Sequence, residues 1–202
     1  MGDDYPEIEL LIGSNIYGQI PTGYGKRDSW SLHIFCDASK NAYATVIFFK
    51  SESSGQVYVK FVAAKSRISP LKKVTIPRLE LLACVFRFTP AKYVVTALSL
   101  KEVPTYYWTD ATVALCWIQR EENWRVFVNN RVKDIRSLSK KEYWRHIPGK
   151  LNPADIASRG CTSNICRSTV GGRVLNFFES LPGGVAKVLA KRKLIAAEMK
   201  RK

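Results

Sequence analysis

Four acidic residues, each ending or following a short apolar run, constrain this chain more than any other feature. They are Asp37 in His33-Ile34-Phe35-Cys36-Asp37-Ala38-Ser39, Glu80 in Ile76-Pro77-Arg78-Leu79-Glu80-Leu81-Leu82, Asp110 in Tyr107-Trp108-Thr109-Asp110-Ala111-Thr112, and Asp155 in Asn152-Pro153-Ala154-Asp155-Ile156-Ala157-Ser158-Arg159. An ionised carboxylate among aliphatic and aromatic residues is costly to desolvate unless something positive sits beside it. The chain holds 17 acidic residues against 32 basic ones, so acids set where a core should form point to a shared cation. Hard divalent ions such as Mg²⁺ take carboxylate oxygens, and a pair of them drives phosphodiester hydrolysis.

The hydrophobic pattern supplies a frame that would gather these positions. Residues 31–37 read as a central strand with apolar residues on both faces. Residues 42–49 and 57–64 follow as strands across the polar turn Ser51-Glu52-Ser53-Ser54-Gly55, an antiparallel meander. After a basic loop, Thr75 is placed as an N-cap and Pro77 sits early in a helix whose face carries Leu79, Leu82, Ala83 and Phe86. Pro90 is expected to break or kink it, leaving a second piece over 91–98. A short strand over 105–109, a short helix over 111–118, a helix over 124–138, a last strand over 144–147 and a helix opened by Pro153 complete the order. The expected class is α/β: a mixed five-stranded sheet, three antiparallel strands then two more, flanked by helices. Strand ends in such a sheet are neighbours, so acids at those ends converge.

Length and charge bound the function. A chain of 202 residues can bury a substantial core. Three parts are expected: an amino-terminal segment over 1–30, a domain over 31–160, and a basic tail over 161–202, partly helical or flexible. Residues 31–160 carry 21 basic and 10 acidic groups, which suits a polyanion binder, though solubility alone also explains such a surplus. No apolar run is long enough for a membrane span, and Met1-Gly2-Asp3-Asp4 leads into no signal-peptide core, so an intracellular protein, cytoplasmic or nuclear and not secreted, is expected. The five cysteines are scattered, which favours free thiols, and His33 and His146 lack zinc-ligand spacing with Cys161 and Cys166.

From Leu32 to Gly160 the chain resembles the RNase H domain of BEL/Pao-type retrotransposon polyproteins, a family also called Pao retrotransposon peptidase. The residues that carry the likeness are Phe35-Cys36-Asp37-Ala38-Ser39, Ala64-Lys65-Ser66-Arg67, Ile76-Pro77-Arg78-Leu79-Glu80-Leu81, Trp108-Thr109-Asp110, Trp144-Arg145-His146-Ile147-Pro148-Gly149-Lys150 and Asn152-Pro153-Ala154-Asp155-Ile156-Ala157-Ser158-Arg159-Gly160. The resemblance implies an RNase H-like fold, two Mg²⁺ ions (Mn²⁺ substituting), and hydrolysis of the RNA strand of RNA–DNA hybrids. It implies that Asp37 bridges both metals, that Glu80 and Asp110 complete one, and that Asp155 completes the other. Many RNase H enzymes carry a histidine where this chain has Lys150, which implies slower turnover.

Ile8-Glu9-Leu10-Leu11-Ile12-Gly13-Ser14-Asn15 resembles the strand-turn near the end of a retroelement aspartic protease. Such a protease needs Asp-Thr-Gly or Asp-Ser-Gly, and neither triplet occurs in the chain, so peptidase activity is not expected. A reverse transcriptase would stand between the two signatures, yet only 16 residues separate Asn15 from Leu32. A retroelement remnant lacking that middle section is the corresponding expectation, with other polyprotein products as further partners.

Basic residues expected at phosphates are Lys65, Arg67, Lys72, Lys73, Arg125, Arg131 and Lys150. The tail beyond Pro182-Gly183-Gly184 has apolar residues at helical spacing among Lys187, Lys191, Arg192 and Lys193. That pattern suits a nucleic-acid clamp, an anionic membrane surface or a solvated helix. Three functional readings stand: a metal-dependent hybrid endoribonuclease, a catalytically silent nucleic-acid-binding remnant, and a decaying product that folds poorly.

Overall fold

Alternation along one central strand organises the molecule. The computed structural model describes residues 7–8, 29–53, 56–72, 74–97, 100, 102–160, 172–174, 176–178 and 180. Its strands are β1 (Glu7–Ile8), β2 (Trp30–Ala38), β3 (Ala42–Ser53), β4 (Gln56–Ile68), β5 (Thr105–Thr109) and β6 (Trp144–His146). Its helices are α1 (Ile76–Phe86), α2 (Phe88–Ala97), α3 (Thr112–Gln119), α4 (Val126–Leu138) and α5 (Ala154–Arg159). The sheet order is β1-β4-β3-β2-β5-β6. Pairing is antiparallel from β1 through β2, and parallel for β2–β5 and β5–β6.

Successive side chains of a strand point to opposite faces, and β2 is apolar on both. Leu32, Ile34 and Cys36 join one core with Leu79, Leu81 and Ala83 of α1, Ile118 of α3, and Val128, Val132 and Ile135 of α4. Phe35 joins a second core with Val46, Phe48, Trp108, Ala154 and Ile156. Phe177 packs edge-on against Phe35 and Trp108, with centroids 5.8 and 4.7 Å apart. Within the stretch expected as a basic tail, residues 172–174 and 176–178 are therefore helical, with Val174, Phe177 and Phe178 buried on this second face. Ser180 is also described, and the rest of 161–202 lies outside the described residues.

The five expected strands form the body of the sheet. A two-residue sixth, β1, adds an edge to β4 by pairing Glu7 with Arg67 and Ile8 with Ser66. A pair of residues carries no readable periodicity, which is why the pattern missed it. The remainder of the protease-like stretch, from Glu9 to Asn15, lies outside the described residues.

The break expected at Pro90 falls instead at Arg87, between α1 and α2. Pro90 occupies the first turn of α2, where a missing N–H leaves no intrahelical bond unmade. Thr75 stands at the N-cap of α1 but its side chain makes no capping bond. Arg87 is fully buried, its guanidinium 3.7 Å from the Tyr107 ring centroid and 4.4 Å from that of Trp144. Nη2 of Arg87 donates to Ser139 Oγ at 2.8 Å, so stacking and a hydrogen bond offset the desolvation of this cation. Cys36, Cys84 and Cys116 are free thiols among the described residues. Among those residues, no helix is long and apolar enough to cross a membrane.

Candidate metal centre

Parallel register brings two of the four acids together. Cys36 of β2 lies opposite Thr109 of β5, so the next residues, Asp37 and Asp110, leave adjacent strand ends side by side. Glu80 comes from the buried face of α1, which packs on β2, and its carboxylate accepts the Ala38 backbone N–H. Oxygens of Asp37, Glu80 and Asp110 all lie within 4.8 Å of one another. Asp37 and Glu80 are buried, and Asp110 is half-buried.

Two of these carboxyls are pushed toward their neutral form. Burial pushes the Asp37 carboxyl up to about 7, against a bond from Ser158, with the Asp110 and Asp155 charges adding to the rise. Burial likewise pushes Glu80 up to about 9, aided by the charges of Asp37 and Asp110 and opposed by the Ala38 N–H. Close carboxylates in a low dielectric resist ionising together. Among the described residues, Glu80 Oε2 is buried without a hydrogen-bond partner, an arrangement that normally costs about 1–3 kcal/mol. An all-carboxylate donor set with an unpartnered buried oxygen fits a hard divalent cation such as Mg²⁺ or Mn²⁺.

The fourth acid behaves differently. Asp155 sits in the first turn of α5 and is outside the three-residue cluster. Its Oδ1 accepts from Arg159 Nε at 2.6 Å and its Oδ2 from Arg173 Nη1 at 2.8 Å. Partial burial raises its pKa, but the hydrogen bonds from Arg159 and Arg173 outweigh that and hold the carboxyl below the usual range. The same helix supplies Ser158, whose hydroxyl donates to Asp37 Oδ2. Asp155 is thus tied to the cluster through α5 and through its repulsion of Asp37, while its own oxygens are engaged by arginines.

Several partners of these acids escaped the sequence reading. Asn152 Nδ2 donates to Asp110 Oδ1 at 3.0 Å and to the Cys36 carbonyl at 3.0 Å. Ser39 Oγ donates to the Ser158 carbonyl at 2.7 Å, pinning α5 to the end of β2. At Gly149, a Cβ would come 2.7 Å from Asp110 Oδ2, so a side chain there would displace the carboxylate. Asn152, Ser158 and Gly149 stood inside quoted motifs, where their roles depend on contacts across the fold. Arg173 stood in a stretch with no signal at all.

The basic residues divide by placement. Lys72, Arg125 and Lys150 are exposed, and Lys150 follows Gly149 beside Asp110. Arg131 is half-buried with its guanidinium 4.3 Å from the Phe127 centroid, and Arg78 stacks on the same ring at 5.0 Å. Arg67 is half-buried on β4. Lys65 is buried, its ammonium 5.6 Å from the Phe86 centroid. Lys73 lies outside the described residues.

Residues 16–111 match the family model of the Pao retrotransposon-like RNaseH-like domain, a span that holds Asp37, Glu80 and Asp110 and stops short of Asp155. Among solved structures, the chain is similar to the N-terminal RNase H domain of a Mycobacterium tuberculosis protein determined as a fusion with maltose-binding protein. That likeness has 12% identity and a TM-score of 0.44, over 71% of this chain and 98% of that one. It is also similar to RNase H1 from the halophilic archaeon Halobacterium salinarum, at 12% identity and a TM-score of 0.40, over 62% of this chain and 89% of that one. No curated protein matches.

Proposed function

We propose that this chain, whose residues 16–111 are those of a Pao retrotransposon-like RNaseH-like domain, is a metal-dependent endoribonuclease acting on the RNA strand of RNA–DNA hybrids. The observation that carries the reading is the meeting of Asp37, Glu80 and Asp110, three acids far apart in sequence, around a buried Glu80 oxygen without a partner. A structural role explains one buried carboxylate with a hydrogen bond; three within reach of a single ion call for a cation.

Asp37, Glu80 and Asp110 would hold one divalent ion, and Asp37 with Asp155 a second. Such ions, when bound, lower the pKa of a water that attacks the scissile phosphate and offset charge on the leaving 3′ oxygen. The chain's own contribution is placement. Parallel strands fix Asp37 beside Asp110, α1 presents Glu80 from beneath, and Ser158 orients one oxygen of Asp37. The exposed cations Lys72, Arg125 and Lys150 would meet the phosphates of the hybrid, with Arg131 and Arg67 at the margin. Residues 31–160 form the nuclease body in this reading, with the flanking segments as retroelement extensions and other polyprotein products as further partners.

A second reading, a catalytically silent nucleic-acid-binding remnant, draws on the arginines that occupy both oxygens of Asp155. One assay separates the two. Purified protein with Mg²⁺ or Mn²⁺ should cut labelled hybrid and not duplex DNA, EDTA should stop it, and Asp110→Asn should remove it. Hybrid binding without cleavage establishes the silent remnant; equal cleavage by Asp110→Asn refutes the carboxylate site.

A further inference from the structure

Asn152 is fully buried, and its amide is used at both ends. Nδ2 donates to the Cys36 carbonyl and to Asp110 Oδ1, each at 3.0 Å. Oδ1 accepts the Ala154 N–H at 3.1 Å. The amide's orientation follows from chemistry: turned over, it would set an oxygen against two acceptors and an NH₂ against a donor.

These three contacts reach three separate carriers of acidic residues. Cys36 immediately precedes Asp37 on β2, Asp110 follows β5, and Ala154 opens the helix of Asp155 and Ser158. The final torsion of an aspartate side chain is broad and weakly restrained. Asp110 is half-buried beside two other carboxylates, and repulsion alone would turn it toward solvent. A neutral amide restrains it without bringing a positive charge that competes with a metal, in contrast to Arg159 and Arg173 on Asp155. The bond takes only Oδ1, and Gly149 keeps space at Oδ2.

We infer that Asn152 is the positioning residue of the metal centre, holding the Asp110 carboxylate at a fixed rotation relative to the backbone that delivers Asp37. The inference rests on reading Asp37, Glu80 and Asp110 as a divalent-cation site. Ligand-orienting partners of this kind typically change metal affinity about 10–100-fold when removed. The competing explanation is that Asn152 only shapes the turn into α5 through Ala154.

Two variants of the full chain separate these roles. Asn152→Ala loses all three contacts. Asn152→Ser retains an oxygen for the Ala154 N–H, as short side chains do two residues before a backbone donor, but is too short to reach Asp110. Each metal-stripped protein is titrated with Mn²⁺, free ion being followed by electron paramagnetic resonance, and each is melted without metal. Both variants should bind Mn²⁺ about tenfold more weakly or worse, while serine recovers part of the metal-free melting temperature that alanine loses. A folded Asn152→Ser protein whose Mn²⁺ affinity is within about twofold of wild type overturns the inference, and this variant decides should alanine fail to fold. Wild-type protein that binds no Mn²⁺ overturns the cation site itself; wild-type binding with unchanged serine affinity overturns only the role of Asn152.

Discussion

Arg173 Nη1 lies 2.8 Å from Asp155 Oδ2 and also donates to the Asn152 carbonyl at 3.2 Å. A residue near the helical turn that buries Phe177 and Phe178 thus reaches the edge of the acidic cluster. Its guanidinium occupies an oxygen that a second cation would need.

Removing it has two opposed consequences. Arg173→Ala should lower stability by about 1–2 kcal/mol, the scale of a charge-assisted bond and a carbonyl bond lost together at a partly exposed site. The same change should strengthen binding of the second divalent ion, because one competing cation is gone. Mn²⁺ titration of both proteins tests this. Identical stoichiometry and affinity would mean that Arg173 does not guard Asp155.

The pH dependence of the metal-free protein follows from the raised carboxyls. Burial and neighbouring charges push Asp37 up to about 7 and Glu80 up to about 9 in the folded state, against 3.8 and 4.5 for the free side chains. The folded state therefore binds more protons than the unfolded state between those limits, and stability falls as pH rises. Stability from these two groups is complete below about pH 4 and is lost through about 7 for Asp37 and about 9 for Glu80. Melting temperature without metal should decline from pH 5 to pH 9, and the rise on adding Mg²⁺ should be larger at pH 8 than at pH 5. A Mg²⁺ effect independent of pH would contradict the assignment.

Neutral isosteres should uncouple stability from metal binding. Glu80→Gln removes a carboxyl that ionises against burial and two neighbouring charges as pH rises through about 9, so the metal-free protein at pH 9 should gain on the order of 1 kcal/mol or more. The same substitution should abolish the Mg²⁺-dependent rise in melting temperature. Denaturant melts with and without Mg²⁺ measure both effects, and loss of stability at pH 9 would refute the electrostatic account.

Gly149→Ala tests crowding from the opposite side of Asp110. The new Cβ would stand 2.7 Å from Oδ2, closer than any ordinary contact, and a half-buried side-chain carboxylate yields more readily than backbone. Hybrid cleavage and Mn²⁺ affinity should both fall by about 10–100-fold while the far-ultraviolet dichroism spectrum is retained. Full activity in this variant would show that Asp110 tolerates displacement.

Residues 31–37, apolar on both faces, already required a covered central strand, and the run at 105–109 required another. The apolar stripe through Leu79 and Phe86 likewise specified a packed helix, because periodicity is a local property of the chain. The four acids were legible for the same reason: each sits against an apolar run. Contacts made across the fold were not readable. Asn152 looks like any residue before a proline until the register of β2 and β5 brings Cys36 and Asp110 within reach of one amide. Lys65 reads as a loop cation, yet its strand turns it onto Phe86. The short β1 carries no pattern, and Arg173 no motif. Local patterning states which residues must be buried and in what kind of element. Which buried groups meet depends on strand register and helix docking, and those are settled by packing among residues more than a hundred positions apart, as Ser158 and Asp37 are.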